Sequence, residues 1–219
     1  MPTQPTRRRV RTPAAPKRRR RADGERSRQA ILQAAAEMAS VEGLEGLSLG
    51  ALAGRLGISK SGLFAHFGSK QELEIATIEA AGRVFADDVL RPGLAAPTGV
   101  RRLVALSEAF LSHVERRVFP GGCFFAAAAA ELDSRAGPVR ERIAAFQREW
   151  METLERQAAQ ARTAGELDRS ADPKQIAFEL NAMLLAANGM FLLQGDPAVF
   201  DRARAGLLGI LERGASVMS

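Results

Sequence analysis

Beyond residue 22, apolar positions recur at intervals of three and four almost to the end of the chain, so the sequence reads as helical nearly throughout. Ile31, Leu32, Ala35, Met38 and Ala39 lie on one face of a first helix, with Asp23 placed to cap it and an end near Gly43. Two short amphipathic segments follow, capped by Ser48 and Ser59. Ser69 and Glu72 make an S-x-x-E capping box opening a fourth helix, which runs to about Leu90 before Arg91-Pro92-Gly93 stops it. A further segment spans about Pro97 to Val118, and Pro120-Gly121-Gly122 forms a turn. Pro138 suits the first turn of a long helix whose Val139, Ile143, Phe146, Trp150 and Leu154 form a stripe. Asp172-Pro173, with Gln175 three after the cap, and Asp196-Pro197 each put a capping acid before a proline at the first helical position. β-branched residues are scarce, tyrosine is absent, and no stretch alternates for long, so no strand is expected. No period of 20–50 residues recurs.

The most informative stretch is Ser48 to Lys70, SLGALAGRLGISKSGLFAHFGSK. Its two segments meet at Gly57, with the small Ala53 four positions earlier. Leu52, Ile58 and Leu63 sit where the segments bury apolar surface against each other. Small residue, turn glycine and apolar set together describe a helix-turn-helix, whose second helix can enter the DNA major groove. Ser59, Lys60 and Ser61 put donors and a cation at the N-terminus of that second helix, where free backbone N–H groups also favour phosphate. Gly62 permits close approach to the groove wall, and Leu63 and Phe67 face inward. His66 and Lys70, read as lying beyond the helix, are placed to hold phosphates, although each is in isolation an ordinary surface residue.

Charge divides the chain. Residues 1–21 carry nine Lys/Arg, no acid and four prolines, which leaves 22 basic against 25 acidic residues elsewhere. Such an arm, taken as residues 1–22, is expected to be disordered by itself. It reads either as a solubilising tail or as a segment that grips DNA backbone or minor groove by releasing counterions. ADGERSRQA follows it rather than the apolar stretch of a secretory signal, and no apolar run approaches the roughly 18 residues of a membrane span, so no membrane partner is expected. Cys123 is the sole cysteine, and His66 and His113 lack neighbours at metal-ligand spacing. No metal, no cofactor and no enzymatic activity are expected, because no nucleophile motif, glycine-rich phosphate loop or acid–base pair is present.

From about Asp23 to Ala81 the chain resembles the DNA-binding domain of the TetR/AcrR family of bacterial transcriptional repressors. ILQAAAEMASVEGLEGLS, LAGRLGISK and above all SGLFAHFGSKQEL carry the likeness, the last against the family's Tyr-x-His-Phe-x-x-Lys arrangement. The resemblance implies an all-α fold with an N-terminal three-helix helix-turn-helix domain (residues 23–80) and a larger helical domain (residues 81–219) that binds an effector and dimerises. It puts Ser59, Lys60, Ser61, Gly62, Phe64, His66 and Lys70 at DNA-contacting positions, and Ser48 joins them as a DNA-binding candidate. The implied protein is a cytoplasmic dimeric repressor released from a palindromic operator by an unknown small molecule. The alternative is a non-allosteric architectural DNA binder, against which a second domain of this size argues.

Three departures from the family bear on affinity. Phe64 replaces the usual tyrosine and forgoes about 0.5–1.5 kcal/mol of hydrogen bonding to phosphate. Gly50 and Gly54 each cost the second helix about 1 kcal/mol relative to alanine. The arginine-rich arm is then expected to restore affinity, so deleting residues 1–21 should weaken binding to all sequences alike and flatten its salt dependence.

The family's dimer interface is formed by the last two helices. Here they offer two stripes, Ile176, Leu180, Met183, Leu184, Ala187 and Phe191, then Val199, Ala203, Leu207, Ile210 and Leu211. Each is either intrachain core or a face for a second copy. Asn181 and Asn188, seven residues apart, either fix the register of such a pair or are solvated. Candidates for the effector pocket are Phe110, Cys123, Phe124, Phe146, Trp150 and Met183, with Phe119 and Phe125 beside them; each is otherwise ordinary core. Cys123 is either a redox sensor or a small buried hydrophobe.

Overall fold

The computed structural model describes residues 15–134 and 136–215, with side chains from residue 23 onward. Helix α1 (Ala15–Gly46) starts earlier than expected, so Asp23 is not its N-cap but lies inside it, paired with Arg26. Lysine and arginine have helix propensities near that of leucine and Pro16 falls in the first turn, so the basic stretch from residue 15 is compatible with helix. The part of the expected arm at residues 1–14 lies outside the described residues. Near its end α1 breaks at Gly43, whose φ of 79° a residue with a β-carbon resists.

Helices α2 (Leu49–Leu56) and α3 (Lys60–Phe67) are capped as the sequence predicts: Ser48 Oγ accepts from Ala51 N and Ser59 Oγ from Gly62 N, both at 3.0 Å. Gly57, with φ of 66°, ends α2 in the left-handed conformation and turns the chain into α3. In α4 (Lys70–Phe85), Ser69 Oγ accepts from Glu72 N at 3.1 Å. The reciprocal half of the capping box does not form, because Ser69 N already donates to Phe67 O at 2.7 Å.

Proline 92 does not stop α4. A π-helical turn (Ala86–Leu90) leads directly into α5 (Arg91–Ala95), with Pro92 in the first turn of α5. Helix α6 (Val100–Glu115) follows, then α7 (Phe124–Leu132). The alanine run within α7 was not expected as an element, although alanine is the best helix former. Helix α8 (Pro138–Thr163) starts at its expected proline, and α9 (Pro173–Gln194) at Asp172, which accepts from Lys174 N at 2.9 Å. Helix α10 (Ala198–Arg213) begins one residue later than expected, with Pro197 as its N-cap, and Asp196 accepts from Ala198 N at 2.9 Å. The β pairing among the described residues is one isolated bridge, Leu167 with Ala215.

Two cores form. In the smaller, Ile31, Leu32, Ala35 and Met38 of α1 pack with Leu52, Leu63, Phe67 and Leu73. The larger draws on α4, the π turn, α6 to α10 and Ala36, Ala39 and Leu44 of α1. Helices α1 and α4 thus serve both cores, and α4 passes from one to the other between Leu73 and Ile78.

Helix α9 corrects two expectations. The anticipated dimer stripe of Ile176, Leu180, Leu184, Ala187 and Phe191 is buried within the chain, as is the stripe of Val199, Ala203, Leu207, Ile210 and Leu211 on α10. Met183 is part-buried and packs against the same core. The opposite face of α9 exposes Phe178, Leu185, Met190 and Leu193, and α10 exposes Leu208. Apolar on two faces, α9 is the one helix among the described residues long and apolar enough to cross a membrane, with a mean hydropathy of 1.6 over its best window. Asn188 is buried and Asn181 half-buried, and both are engaged within the chain. Asn181 Oδ1 accepts from Trp150 Nε1 and Asn188 Oδ1 from Cys123 N, each at 2.9 Å.

Candidate functional site

The α2–α3 pair is built from the inside. Leu52, Ala53, Leu63 and Phe67 are buried, and the Arg28 guanidinium lies 5.0 Å from the Phe67 ring centre. Ile58 is not part of this seam: directly after the left-handed Gly57 it is turned outward, into a cleft it lines with Ile31, Leu56, Gly62 and His66. Fixing the inner face leaves the outer one free. Ser48, Ser59, Lys60, Ser61 and Phe64 are exposed, and Phe64 retains 46% of its surface.

Four of the candidates gather at two neighbouring helix N-termini. Ser59 and Ser61 hydroxyls lie 3.1 Å apart, and the Lys60 side chain runs across Gly50, where an added Cβ would come within 3.1 Å of Lys60 Cε. Gly50 therefore makes room for Lys60, and in the first turn of α2 its propensity cost is smaller than in a helix interior. Ser48 caps that same turn. The unpaired N–H groups of both helix starts add partial positive charge to the Lys60 ammonium, a combination suited to phosphate.

His66 and Lys70 sit differently from expectation. His66 is in the last turn of α3 and lines the cleft toward α1, while Lys70 is the first residue of α4. Lys70 Nζ donates to Glu45 O at 2.9 Å and lies 3.6 Å from Glu74. Burial raises the Glu74 carboxyl above its ordinary range, against the pull of Lys70.

A second site lies in the larger core. A cavity of about 160 Å³ is walled by the rings of Phe85, Phe110, Phe125, Phe146 and Trp150. Cys123, Ala126, Met151 and Leu185 complete its apolar lining, and Gln147 and Asn181 are its polar members. Phe85 packs edge-on against the other four rings, and Phe125 stacks nearly parallel to Phe146. Phe110, Cys123, Phe146 and Trp150 of the sequence candidates meet here; Phe124 and Met183 do not. Phe124 turns into the packed core beside Phe119, and Met183 fills the space over Gly206 of α10. Sequence reasoning missed Phe85, which a stripe of Leu73, Ile78, Ala81 and Phe85 on α4 could have flagged, and Gln147, which nothing in its surroundings marks. Burial pushes the Cys123 thiol up to about 11, so it is an un-ionised, unreactive group.

Behind Phe85, the π turn directs Asp88 toward α6. Asp88 Oδ2 lies 2.7 Å from buried His113 Nδ1, and Arg116 Nη2 donates to both Asp88 oxygens at 2.7 and 2.8 Å. Burial pushes the His113 imidazole below its ordinary value more than Asp88 raises it. Burial alone would raise Asp88, but hydrogen bonds from Arg116 and His113 hold it low.

The two halves of the chain are joined at α7. Glu131, near its end, accepts from Leu44 N at 2.7 Å and Glu45 N at 2.8 Å, just past the Gly43 break. Before α7, Gly121 N donates to Ser40 Oγ at 3.1 Å. The helix that contributes Phe125 and Ala126 to the cavity is therefore bonded to α1 on both sides of that wall.

Comparison with known proteins accounts for this arrangement. Residues 31–77 match the profile described as bacterial regulatory proteins, tetR family, and residues 99–207 match the tetracyclin repressor-like C-terminal domain. Curated protein sequences give no match. Among solved structures, a TetR transcriptional regulator from Chloroflexus aurantiacus is 23% identical with a TM-score of 0.82, over 89% of this chain and 98% of that one. AibR, solved in complex with isovaleryl coenzyme A and operator DNA, is 25% identical with a TM-score of 0.67, over 84% and 96%. The reduced form of NemR from E. coli is 19% identical with a TM-score of 0.72, also over 84% and 96%. The chain belongs to the TetR family of DNA-binding transcriptional regulators.

Proposed function

We propose that this regulator is a homodimeric repressor that binds a palindromic operator and leaves it when a small molecule occupies the aromatic cavity. The observation that carries the reading is the α2–α3 pair, whose inner face is locked by Leu63 and Phe67 while Ser59, Lys60, Ser61 and Phe64 stand free. Residues 23–80 act as the reading head and residues 81–219 as the effector and dimer domain. Ser48, Ser59, Lys60 and Ser61 hold phosphate or base edges, Gly62 admits close approach, and Phe64 gives apolar contact. His66 reaches the backbone from the end of α3, and Lys70 does so by exchanging the Glu45 carbonyl for a phosphate.

The exposed faces of α9 and α10, rather than the stripes buried within the chain, form the dimer in this reading. Phe178, Leu185, Met190, Leu193 and Leu208 supply the exposed apolar side chains of that surface. Two heads related by a twofold axis would read half-sites about one helical turn, 34–36 Å, apart. AibR, whose structure holds both a small molecule and operator DNA, supports the effector half of the reading.

Footprinting and anisotropy on DNA flanking the gene, at several salt concentrations, test it. The expected result is a protected palindrome bound at least about a thousandfold above random DNA. Equal affinity for all sequences with a steep salt slope would instead favour the architectural alternative, in which the nine basic residues of positions 1–21 dominate.

A further inference from the structure

We infer that the aromatic cavity selects a small, uncharged, flat ligand of about one ring that carries a hydrogen-bond acceptor. This deepens the effector reading above and rests on it. Size comes first: the volume of about 160 Å³ is close to that of a dry protein cavity, about 150 Å³, that accepts benzene. The five ring walls match a flat apolar body, through stacking and edge-on contact.

Charge is excluded by the lining. None of the residues around this space bears an ionised group at neutral pH, the Cys123 thiol included. A carboxylate or ammonium entering it would lose its water without gaining a counter-ion. The ionic groups Glu149, Glu152 and Arg156 line instead a neighbouring space of about 290 Å³ that shares Phe85, Phe146 and Trp150 with the cavity. There Arg156 Nη2 already donates to Thr153 Oγ1 at 3.0 Å, and Glu149 lies 3.6 Å from Arg142.

The polar handle is a donor. Asn181 Oδ1 is taken by the Trp150 indole N–H, which fixes the orientation of the amide and leaves its N–H pair to give. Gln147, the other amide in the lining, makes no hydrogen bond among the described residues and can follow a ligand's position. A ring bearing a carbonyl, ether or similar acceptor satisfies Asn181; a plain hydrocarbon does not.

Trp150 is the sole tryptophan of the chain, so its fluorescence reports on the cavity directly. The test titrates the full-length protein with acetophenone, ethylbenzene, benzoate and benzylammonium, following Trp150 emission and Tm. Acetophenone is expected to change the emission saturably and raise Tm, with benzoate and benzylammonium at least about tenfold weaker and ethylbenzene intermediate. Asn181→Asp keeps the acceptor for Trp150 and replaces the donor by a carboxylate, so it should invert the order in favour of benzylammonium. Benzoate or benzylammonium binding the wild type as tightly as acetophenone would overturn the proposal while leaving the cavity an effector site. Ethylbenzene equal to acetophenone would overturn the acceptor requirement. No response of emission or Tm to any probe would remove the effector reading of the cavity as well.

Discussion

Glu131 is the point at which the cavity-bearing domain holds the end of the first helix, and its removal has a calculable effect. Its carboxylate accepts two backbone N–H groups, from buried Leu44 at 2.7 Å and from exposed Glu45 at 2.8 Å. A hydrogen bond to an ionised acceptor contributes roughly 1.5–3 kcal/mol when shielded and much less when water can replace it. Glu131→Ala should therefore cost about 2 kcal/mol, most of it from Leu44 N, while Glu131→Gln, which keeps one acceptor oxygen, should lose about half as much. Urea unfolding followed by Trp150 fluorescence gives the difference. The carboxylate lies one to two turns beyond Phe125 and Ala126 on the same helix, so its loss should also weaken the link between cavity and reading head. In Glu131→Ala, acetophenone should still bind at the cavity but shift operator affinity less than it does in the wild type. An unfolding midpoint and ligand response identical to wild type would refute the reasoning, since α7 would then be merely adjacent to α1.

Stability should fall on acidification in two stages. His113 titrates lower in the folded chain than its ordinary value of about 6.5, so the unfolded state takes up the proton first and stability is lost as pH drops below that value. Asp88, held low by Arg116 and His113, adds a further loss below about pH 4; chemical denaturation across pH should show both limbs, and His113→Gln should flatten the first. Replacing Leu193 and Leu208 together by aspartate removes no intrachain core, as they are 87% and 49% exposed. Sedimentation should then report a monomer whose operator affinity is reduced at least about tenfold, and an unchanged dimer would reject the proposed face. Phe64→Tyr places a hydroxyl on an exposed ring of α3, and anisotropy should show operator binding strengthened by about 0.5–1.5 kcal/mol; no gain would mean that the ring does not approach a phosphate.

What the sequence made legible was local. Ser48, Ser59, Ser69, Asp172 and Asp196 each accept from an amide two or three residues ahead, an interaction fixed by residue type and spacing alone. Gly57 was legible for the same reason, since the turn needs a conformation that glycine adopts freely. Ile58 was not, because one left-handed residue before it redirects its side chain in a way that apolar spacing does not record. Partners distant in the chain left no local trace: Glu131 meets Leu44 across 87 positions, and Asn188 meets Cys123 across 65.

Helix α9 shows how a single physical cause misleads in two directions. A surface helix ordinarily has one apolar face, so from sequence the stripe from Ile176 to Phe191 reads either as intrachain core or as a face for a second copy. Here Ile176, Leu180, Leu184 and Phe191 are used by the chain itself, and Phe178, Leu185, Met190 and Leu193 form a second, opposite face. The same doubling raises the mean hydropathy to that of a membrane span, although no continuous run of eighteen apolar residues is present. A helix that is apolar on two sides must satisfy two packing surfaces. In this fold the first is its own core, and the second, left open in the isolated chain, is the surface that the proposed dimer would close.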